Sequence, residues 1–150
     1  KTLYNREQVF FIGRGLDSAV SYEGSLKLKE ISYINSFAIA AGELKHGTIA
    51  LMEPGTLVIA LACQDFLYEK MVSNIQEIKA RDAYVLAVAK EGNQSIAKQS
   101  DKMVYIPECR DEIVPLISVV PLQLFAYYVA RERGCNIDKP KNLAKSVTVE

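Results

Sequence analysis

Three charged residues, Glu23, Lys27 and Glu30, follow one another at spacings of four and three residues. On an α-helix these spacings place all three side chains on one face, where a carboxylate beside a lysine forms a tuned acid–base pair. On a helical wheel, several apolar residues of the predicted helix lie within about 80° of the Glu23 direction. They are Ala19, Val20, Leu26, Ile31, Tyr33 and Ile34. Charges in the middle of an apolar face cost several kcal/mol per ion to bury. We therefore expect these three charged side chains to have a specific structural or functional role.

Two interpretations of the three charges remain open at this point. A Glu–Lys–Glu network could stabilise a helix that is packed inside the domain. Alternatively, the charged face lines a polar cavity that contacts a ligand. Both can hold together, because a carboxylate near a lysine in a cleft is also an acid–base pair with altered pKa values.

Two further residues could do chemistry. His46 is the chain's one histidine and lies in a predicted loop; imidazole exchanges protons near neutral pH, although a single histidine is more commonly structural. Lys145 lies among small and apolar residues of the C-terminal tail, where an ordinary surface lysine is the simpler interpretation. Three scattered cysteines and one histidine form no zinc motif, so no metal site is expected.

An alternation of strands and helices must position these residues. Apolar runs predict strands at residues 8–12, 37–41, 57–62, 84–89 and 103–106. Helices are predicted from Asp17 or Ser18 to about Asn35, after a cap at Asp65, and from Ile113 to Arg133.

Strands that are apolar throughout indicate a parallel sheet covered on both faces. We therefore expect an α/β fold, a three-layer α-β-α sandwich with a sheet of about five strands, flavodoxin-like in its organisation. Ligands of such sheets bind beyond the carboxyl ends of the strands. The loops at 13–15, 43–47 and 63–65 should therefore matter most.

Composition excludes several classes of function. Lys plus Arg and Asp plus Glu both number 18, so the basic excess of a nucleic-acid-binding protein is missing. No uninterrupted apolar run reaches the length of a membrane span. Scattered cysteines suit a reducing cytoplasm.

The predicted helix at 113–133 is apolar nearly all round, so we expect a second domain or subunit to cover it. The chain begins with Lys1, and we expect it to be a fragment.

Four stretches of the sequence closely resemble the glucosamine-6-phosphate synthase family, whose members are also called glutamine–fructose-6-phosphate aminotransferases. They are EGSLKLKEISY at 23–33, GELKHG at 42–47, VPLQL at 120–124 and KPKNLAKSVTVE at 139–150. The resemblance covers essentially the whole chain and matches the second of the family's two sugar-isomerase (SIS) domains. It implies one SIS domain over residues 1–150 with a catalytic tail at 136–150, and it implies that the glutaminase and first SIS domains lie outside this fragment.

The resemblance also implies an activity that needs no cofactor: fructose 6-phosphate and glutamine become glucosamine 6-phosphate and glutamate. Lys145 matches the lysine that forms an imine with the sugar carbonyl. Glu30 matches the base that moves a proton between C1 and C2, which is chemistry that suits a carboxylate. His46 matches the residue that opens the sugar ring and reaches into the neighbouring subunit's site.

Three further site residues follow from the same resemblance or accompany it. Lys27 matches a lysine that assists proton transfer near the amine, and we expect Ala144 and Glu23 to contact the substrate. The implied partners are fructose 6-phosphate, the enzyme's own glutaminase and first SIS domains, and a second copy in a homodimer.

One loop departs from the pattern of a phosphate site. The loop at 63–66 reads Cys-Gln-Asp-Phe, so it offers no hydroxyl group and adds an acid, which makes it a poor phosphate cradle. The family places that cradle in the first SIS domain, so we expect the isolated chain to have little or no activity. The alternatives are a stand-alone sugar-phosphate isomerase, which needs a phosphate loop, and a non-catalytic SIS module that binds sugar phosphates or only dimerises.

We also expect Asp82 to adopt a positive φ or a short turn without functional meaning.

Overall fold

A computed structural model describes residues 3–141 and shows five parallel strands in the order β2-β1-β3-β4-β5. The strands are β1 (Gln8–Gly13), β2 (Asn35–Ala40), β3 (Leu57–Ala62), β4 (Tyr84–Lys90) and β5 (Lys102–Ile106). The helices are α1 (Leu16–Ser32), α2 (Tyr68–Lys79), α3 (Gln94–Ala97) and α4 (Val114–Glu132). Short 3₁₀ helices occupy Ala41–His46, Thr48–Leu51 and Asp65–Leu67. The predicted α/β sandwich and its flavodoxin-like strand order are confirmed.

Helices cover both faces of the sheet, so alternate side chains of each strand enter different cores. Phe10 of β1 belongs to the core beneath α2, together with Met71 and Ile75. Phe11 belongs to the opposite core, where Leu28 of α1 and Leu122 of α4 pack. Every residue of β3 is buried, which is the pattern expected of a central parallel strand.

The face that α1 buries differs from the predicted one. Its buried residues are Asp17, Val20, Ser21, Gly24, Ser25, Leu28 and Ser32. Gly24 lets α1 approach the sheet and α4 closely, because a Cβ atom there would lie 2.6 Å from Leu122 Cδ1 and 3.0 Å from Phe11 Cε1. Leu26, which we predicted to lie on the buried face, is 45% exposed. The prediction is wrong for Leu26 and for Ala19, which is also exposed, whereas Val20 is buried as predicted; serine and glycine fill much of the buried face.

Both predicted acidic helix caps are also wrong. Gln64, and not Asp17, covers the start of α1: its Oε1 accepts hydrogen bonds from the Leu16 and Asp17 amides at 2.7 and 3.4 Å. Asp65 begins a 3₁₀ helix rather than capping α2, and its carboxylate pairs with Lys90. In each case a contact distant in sequence outcompetes the local cap.

Among residues 3–141, two non-glycine residues adopt positive φ. Tyr33 has a φ of 60°, so α1 ends at Ser32 and not near Asn35 as predicted. Asp82 has a φ of 57°, which confirms the prediction for that position. Left-handed backbone is unfavourable for residues with a Cβ atom, so both positions are held by their surroundings.

The outer face of α4 is apolar and open. Leu116 is 74% exposed, and Val120, Leu124, Tyr127 and Tyr128 are between 42% and 49% exposed. This confirms the prediction that one sheet cannot cover the whole helix. Within residues 3–141, α4 is the one helix with the length and apolar character of a membrane span, but core helices of soluble proteins meet the same criterion. Its inner face packs on the sheet and on α1.

Candidate active site

The three predicted charges on α1 form an ion-pair network. Lys27 Nζ lies 2.7 Å from Glu30 Oε2 and 3.7 Å from Glu23 Oε1. The three side chains are 27–39% exposed, so the network is half-solvated. The expectation of charges at the centre of the buried face is therefore wrong, because these residues lie on the side of α1 away from the sheet.

The hydrogen bond to Glu30 fixes the protonation state of Lys27. That hydrogen bond, together with the charges of Glu30 and Glu23, raises the pKa of Lys27 above its ordinary value, against the opposing effect of burial. Lys27 therefore stays an ammonium ion at neutral pH and can donate a proton or stabilise negative charge. Glu30 lies against this fixed positive charge with access to solvent.

The network lies toward the amino ends of the strands. Ser25, one turn before Glu30, hydrogen-bonds Ser36 at the start of β2, with their Oγ atoms 3.0 Å apart. Glu30 is then within the last turn of α1, which runs antiparallel to the strand before it. Glu23, Lys27 and Glu30 therefore lie apart from the loops at the carboxyl ends, where we expect ligands of such sheets to bind.

His46 lies at the other end of the sheet. It closes the 3₁₀ helix Ala41–His46, which follows β2, and its side chain is 76% exposed. Its Nε2 atom is 4.0 Å from Glu43 Oε2. The six residues of β2 separate His46 from the end of α1 by about 20 Å of strand. One copy of the chain therefore does not bring His46 and Glu30 together.

The chain's own side chains fill the anion-binding positions at the carboxyl edge. Asp17 Oδ2 accepts hydrogen bonds from the amides of Cys63 and Gln64 at 2.8 and 3.3 Å. These amides, with those at the start of α1, are the type of donor that cradles a phosphate in other α/β proteins. Their use by Asp17 and Gln64 is a physical reason for expecting no phosphate site in this loop.

A buried lysine at the end of β4 escaped sequence reasoning. Lys90 is fully buried, and its Nζ lies 2.9 Å from Asp65 Oδ2, 2.8 Å from Asp111 Oδ1 and 3.7 Å from Glu108 Oε1. Burial alone would lower the pKa of Lys90, but hydrogen bonds to Asp111 and Asp65 raise it above its ordinary value. The signal was a lysine ending an apolar strand ahead of the acidic stretch at 108–112. Lys90 joins the loops after β3, β4 and β5, and it lies apart from the α1 network.

Two of the predicted site residues, Ala144 and Lys145, lie outside the described residues. Within residues 3–141, no group of three or more His, Cys, Asp or Glu side chains is arranged to hold a metal ion. The described part of the candidate site therefore consists of Lys27 and Glu30, with Glu23 at its edge.

Asp17 gives the fold a testable pH dependence. Its Oδ1 atom is buried without a hydrogen-bond partner. The pKa of this carboxyl is raised from 3.8 to about 6: burial raises it most and the charge of Asp111 adds to this, against the lowering effects of the amide hydrogen bonds and of Lys90. Because the native state holds this proton more tightly than the unfolded state, the contribution of Asp17 to stability is most favourable below pH 3.8 and is lost as the pH rises toward about 6.

We expect Asp17→Asn to remove this loss. Between pH 4 and 7, the free energy of unfolding of the unmodified protein should fall relative to that of the variant, by about 3 kcal/mol for a shift of this size. Urea unfolding at several pH values measures the difference. Stability curves that stay parallel over this range would show that Asp17 ionises without cost.

An open parallel sheet in the order β2-β1-β3-β4-β5, covered by helices on both faces, defines a doubly wound α/β domain. Residues 2–133 match the family model of the SIS domain, and the chain belongs to that family. Within the family, it is 65% identical over 147 residues to a protein of Caldanaerobacter subterraneus subsp. tengcongensis, the glutamine–fructose-6-phosphate aminotransferase (isomerizing). The match covers 98% of this chain and 24% of the relative.

Solved structures agree with this placement. The C-terminal domain of glucosamine-fructose-6-phosphate aminotransferase from Francisella tularensis superposes with a TM-score of 0.83 at 34% identity, covering 91% of this chain and 38% of that one. A glucosamine-6-phosphate deaminase from Thermotoga maritima superposes with a TM-score of 0.76 at 31% identity, covering 95% of this chain and 40% of that one. The resemblance drawn from the sequence is confirmed, and the chain spans about a quarter of the length of the curated relatives it matches.

Proposed function

We propose that this chain is the isomerase half-site of an enzyme that converts fructose 6-phosphate and glutamine to glucosamine 6-phosphate and glutamate. The observation that carries the proposal is the Lys27–Glu30 pair, 2.7 Å apart on the half-exposed side of α1. A relative named glutamine–fructose-6-phosphate aminotransferase (isomerizing), which is 65% identical along nearly the whole chain, supports the proposal. An exposed carboxylate fixed against an ammonium ion is suited to moving a proton between neighbouring carbons.

The proposed roles divide the reaction among four residues. Lys145 forms an imine with the sugar carbonyl, which requires a lysine that is partly neutral. Ammonia from glutamine then displaces Lys145 from the imine carbon and frees the lysine amine, and Glu30 takes a proton from C1 of the resulting sugar imine and returns it to C2. Lys27, held as an ammonium ion by Glu30, assists proton transfer at the developing amine. His46 exchanges a proton with the ring oxygen during ring opening, which suits an imidazole near neutral pH.

The remaining parts of the site belong to the rest of the proposed enzyme. We propose that Glu23 and Ala144 contact the substrate, and that the phosphate group binds in a first SIS domain. The filled amide positions around Asp17 support an external phosphate site. Residues 1–150 would then form one SIS domain, with a glutaminase domain as ammonia source, in a cytoplasmic enzyme. The isolated chain should accordingly show little turnover.

Two alternative functions have less support than the synthase. A non-catalytic SIS module that binds a sugar phosphate would need no imine lysine, whereas this chain retains Lys145 in a tail that matches the synthase motif. A deaminase function has the support of a solved relative at 31% identity. The synthase is favoured by the 65% identity to a relative of that name.

The separation of His46 from Glu30 leads to a test with mixed subunits. We propose that the site takes Glu30 from one copy and His46 from its neighbour. In the full-length enzyme, His46→Ala and Glu30→Gln should each be nearly inactive as homodimers. Refolding the two variants together should restore roughly a quarter of wild-type activity, because half of randomly formed dimers are hybrids and each hybrid contains one intact site.

A site built within one copy gives the opposite result, since every hybrid chain would still lack one residue. Mixtures that remain as inactive as the separate variants would therefore contradict the shared site. The matched control is Glu69→Gln on the exposed surface of α2, which should stay active alone and should gain nothing on mixing.

A further inference from the structure

A small polar cavity lies beyond the carboxyl ends of β1 and β2, at the edge where parallel sheets bind their ligands. It has a volume of about 190 Å³ and lies between the loop after β1, the 3₁₀ helix Ala41–His46 and α2. Its polar lining consists of Arg14, Lys45, Lys70, Ser73, Asn74 and Glu77. Pockets for drug-sized ligands usually begin at about 300 Å³, so this cavity suits a small ion or the charged end of a larger molecule.

Arg14 is fixed in the wall of this cavity, but its charge has no counter-ion there. Its Nε atom donates a hydrogen bond to Oδ1 of the buried Asn74 at 2.9 Å, which sets the plane of the guanidinium. Within residues 3–141, no carboxylate lies within ion-pair distance of Arg14, and neither Nη atom donates a hydrogen bond. A half-buried charge without a partner is unfavourable, so the guanidinium favours binding of an anion.

Gly42 leaves this guanidinium uncovered. A Cβ atom at Gly42 would lie 3.4 Å from Nη1 and 3.5 Å from Nη2 of Arg14. Gly42 is not one of the glycines with positive φ, so its backbone conformation does not require glycine. A larger side chain at this position would cover the guanidinium, whereas glycine leaves it accessible from the cavity.

The other charges of the lining leave the cavity positive. Lys45 Nζ pairs with Glu77 Oε1 at 2.8 Å, so the acid of the lining is already neutralised. Asn74 Nδ2 also donates to Glu77 Oε2 at 3.4 Å. Lys70 is exposed and has no ion-pair partner among residues 3–141. Arg14 and Lys70 therefore supply two uncompensated positive charges.

We propose that this cavity binds a phosphate group through Arg14, Lys70 and the hydroxyl of Ser73. A guanidinium with both Nη groups available matches two oxygens of a phosphate, and the ammonium ion matches its second negative charge. The donors are side chains, so this site differs from the backbone amides that Asp17 and Gln64 occupy. A bound phosphate would join the loop after β1 to α2, beside the 3₁₀ helix Ala41–His46.

Hydrogen exchange of the full-length protein, titrated with inorganic phosphate, tests the site. Amides in the peptides that cover 41–46 and 70–77 should exchange up to roughly tenfold more slowly at ten times the half-saturating concentration, because bound phosphate suppresses openings that release it. Chloride at equal ionic strength should have no such effect. Glycerol 2-phosphate is the second probe: half-saturation at a lower concentration than phosphate assigns the site to a phosphate ester, and at a higher concentration to the free ion.

Arg14→Gln should abolish this protection, whereas the matched control Arg110→Gln, at an exposed arginine after β5, should leave it at the wild-type level. Lys70→Gln changes only an exposed side chain, so it should fold normally and raise the half-saturating concentration roughly twofold to fivefold. The test therefore does not depend on the folding of Arg14→Gln.

Protection that chloride reproduces, or that Arg14→Gln and Lys70→Gln leave unchanged, would overturn the phosphate site. Wild-type peptides that are protected without phosphate and do not respond to it would overturn it as well. That result would instead indicate that a carboxylate of a second copy of the chain occupies the cavity.

Discussion

Lys145→Arg is expected to abolish covalent capture of fructose 6-phosphate by the full-length enzyme. Arginine keeps the positive charge of lysine, but its guanidinium stays protonated at any working pH and forms no Schiff base. Treatment with borohydride after incubation with sugar should therefore leave the variant unlabelled. Synthase turnover should be lost to the same degree, while hydrolysis of glutamine continues in the separate glutaminase domain.

Lys139→Arg is the matched control for this experiment. Lys139 is exposed and lies in the same terminal segment, but the proposed mechanism gives it no role. The control should trap sugar at the wild-type level. Full labelling of Lys145→Arg would remove Lys145 from the mechanism, and loss of labelling in both variants would indicate a general effect of changing the tail.

Glu30→Gln is expected to slow sugar isomerisation by roughly 10² to 10⁴-fold, the usual contribution of a general base. Glutamine keeps the size and hydrogen-bonding capacity of the side chain but does not accept the proton. The variant should still form the imine and still release ammonia from glutamine. The measurement is the exchange of the substrate's C1 proton with solvent, followed beside trapped adduct and glutaminase rates.

The exposure of the α1 network distinguishes this catalytic role from a structural one. Glu30 and Lys27 have side chains 27% and 34% exposed, and an ion pair in that setting contributes below about 1 kcal/mol to stability. Glu30→Gln should therefore unfold close to the wild-type temperature, as should the surface control Glu69→Gln. Equal losses of adduct formation, glutaminase activity and thermal stability would instead favour a purely structural network.

Sequence reasoning succeeded where burial is uniform. β3 was predicted at 57–62 with the bounds that the structure shows, because a strand covered on both faces is apolar along its whole length. It failed for the orientation of α1, since the face that packs on the sheet is rich in serine and glycine. Close packing selects small residues there, and a hydrophobic pattern does not reveal them.

The candidate site was only partly predictable for a related reason. The spacing of Lys27 and Glu30 revealed their pairing, because helix geometry alone brings them together. The contacts of Lys90 depend on residues 18 to 25 positions away, which no local pattern encodes. The separation of His46 from Glu30 follows from the length of β2 between them and became clear once the strand order was known.

Mapping the trapped sugar in the wild-type full-length enzyme tests the central claim most directly. The protein is incubated with fructose 6-phosphate, reduced with borohydride, digested, and analysed by mass spectrometry for the modified lysine. The proposed half-site predicts one reduced sugar phosphate per active site, on the peptide that contains Lys145. A label on Lys27 or on a lysine outside this chain, or no label while the enzyme turns over, would contradict the assignment of the sugar-isomerising chemistry to this domain.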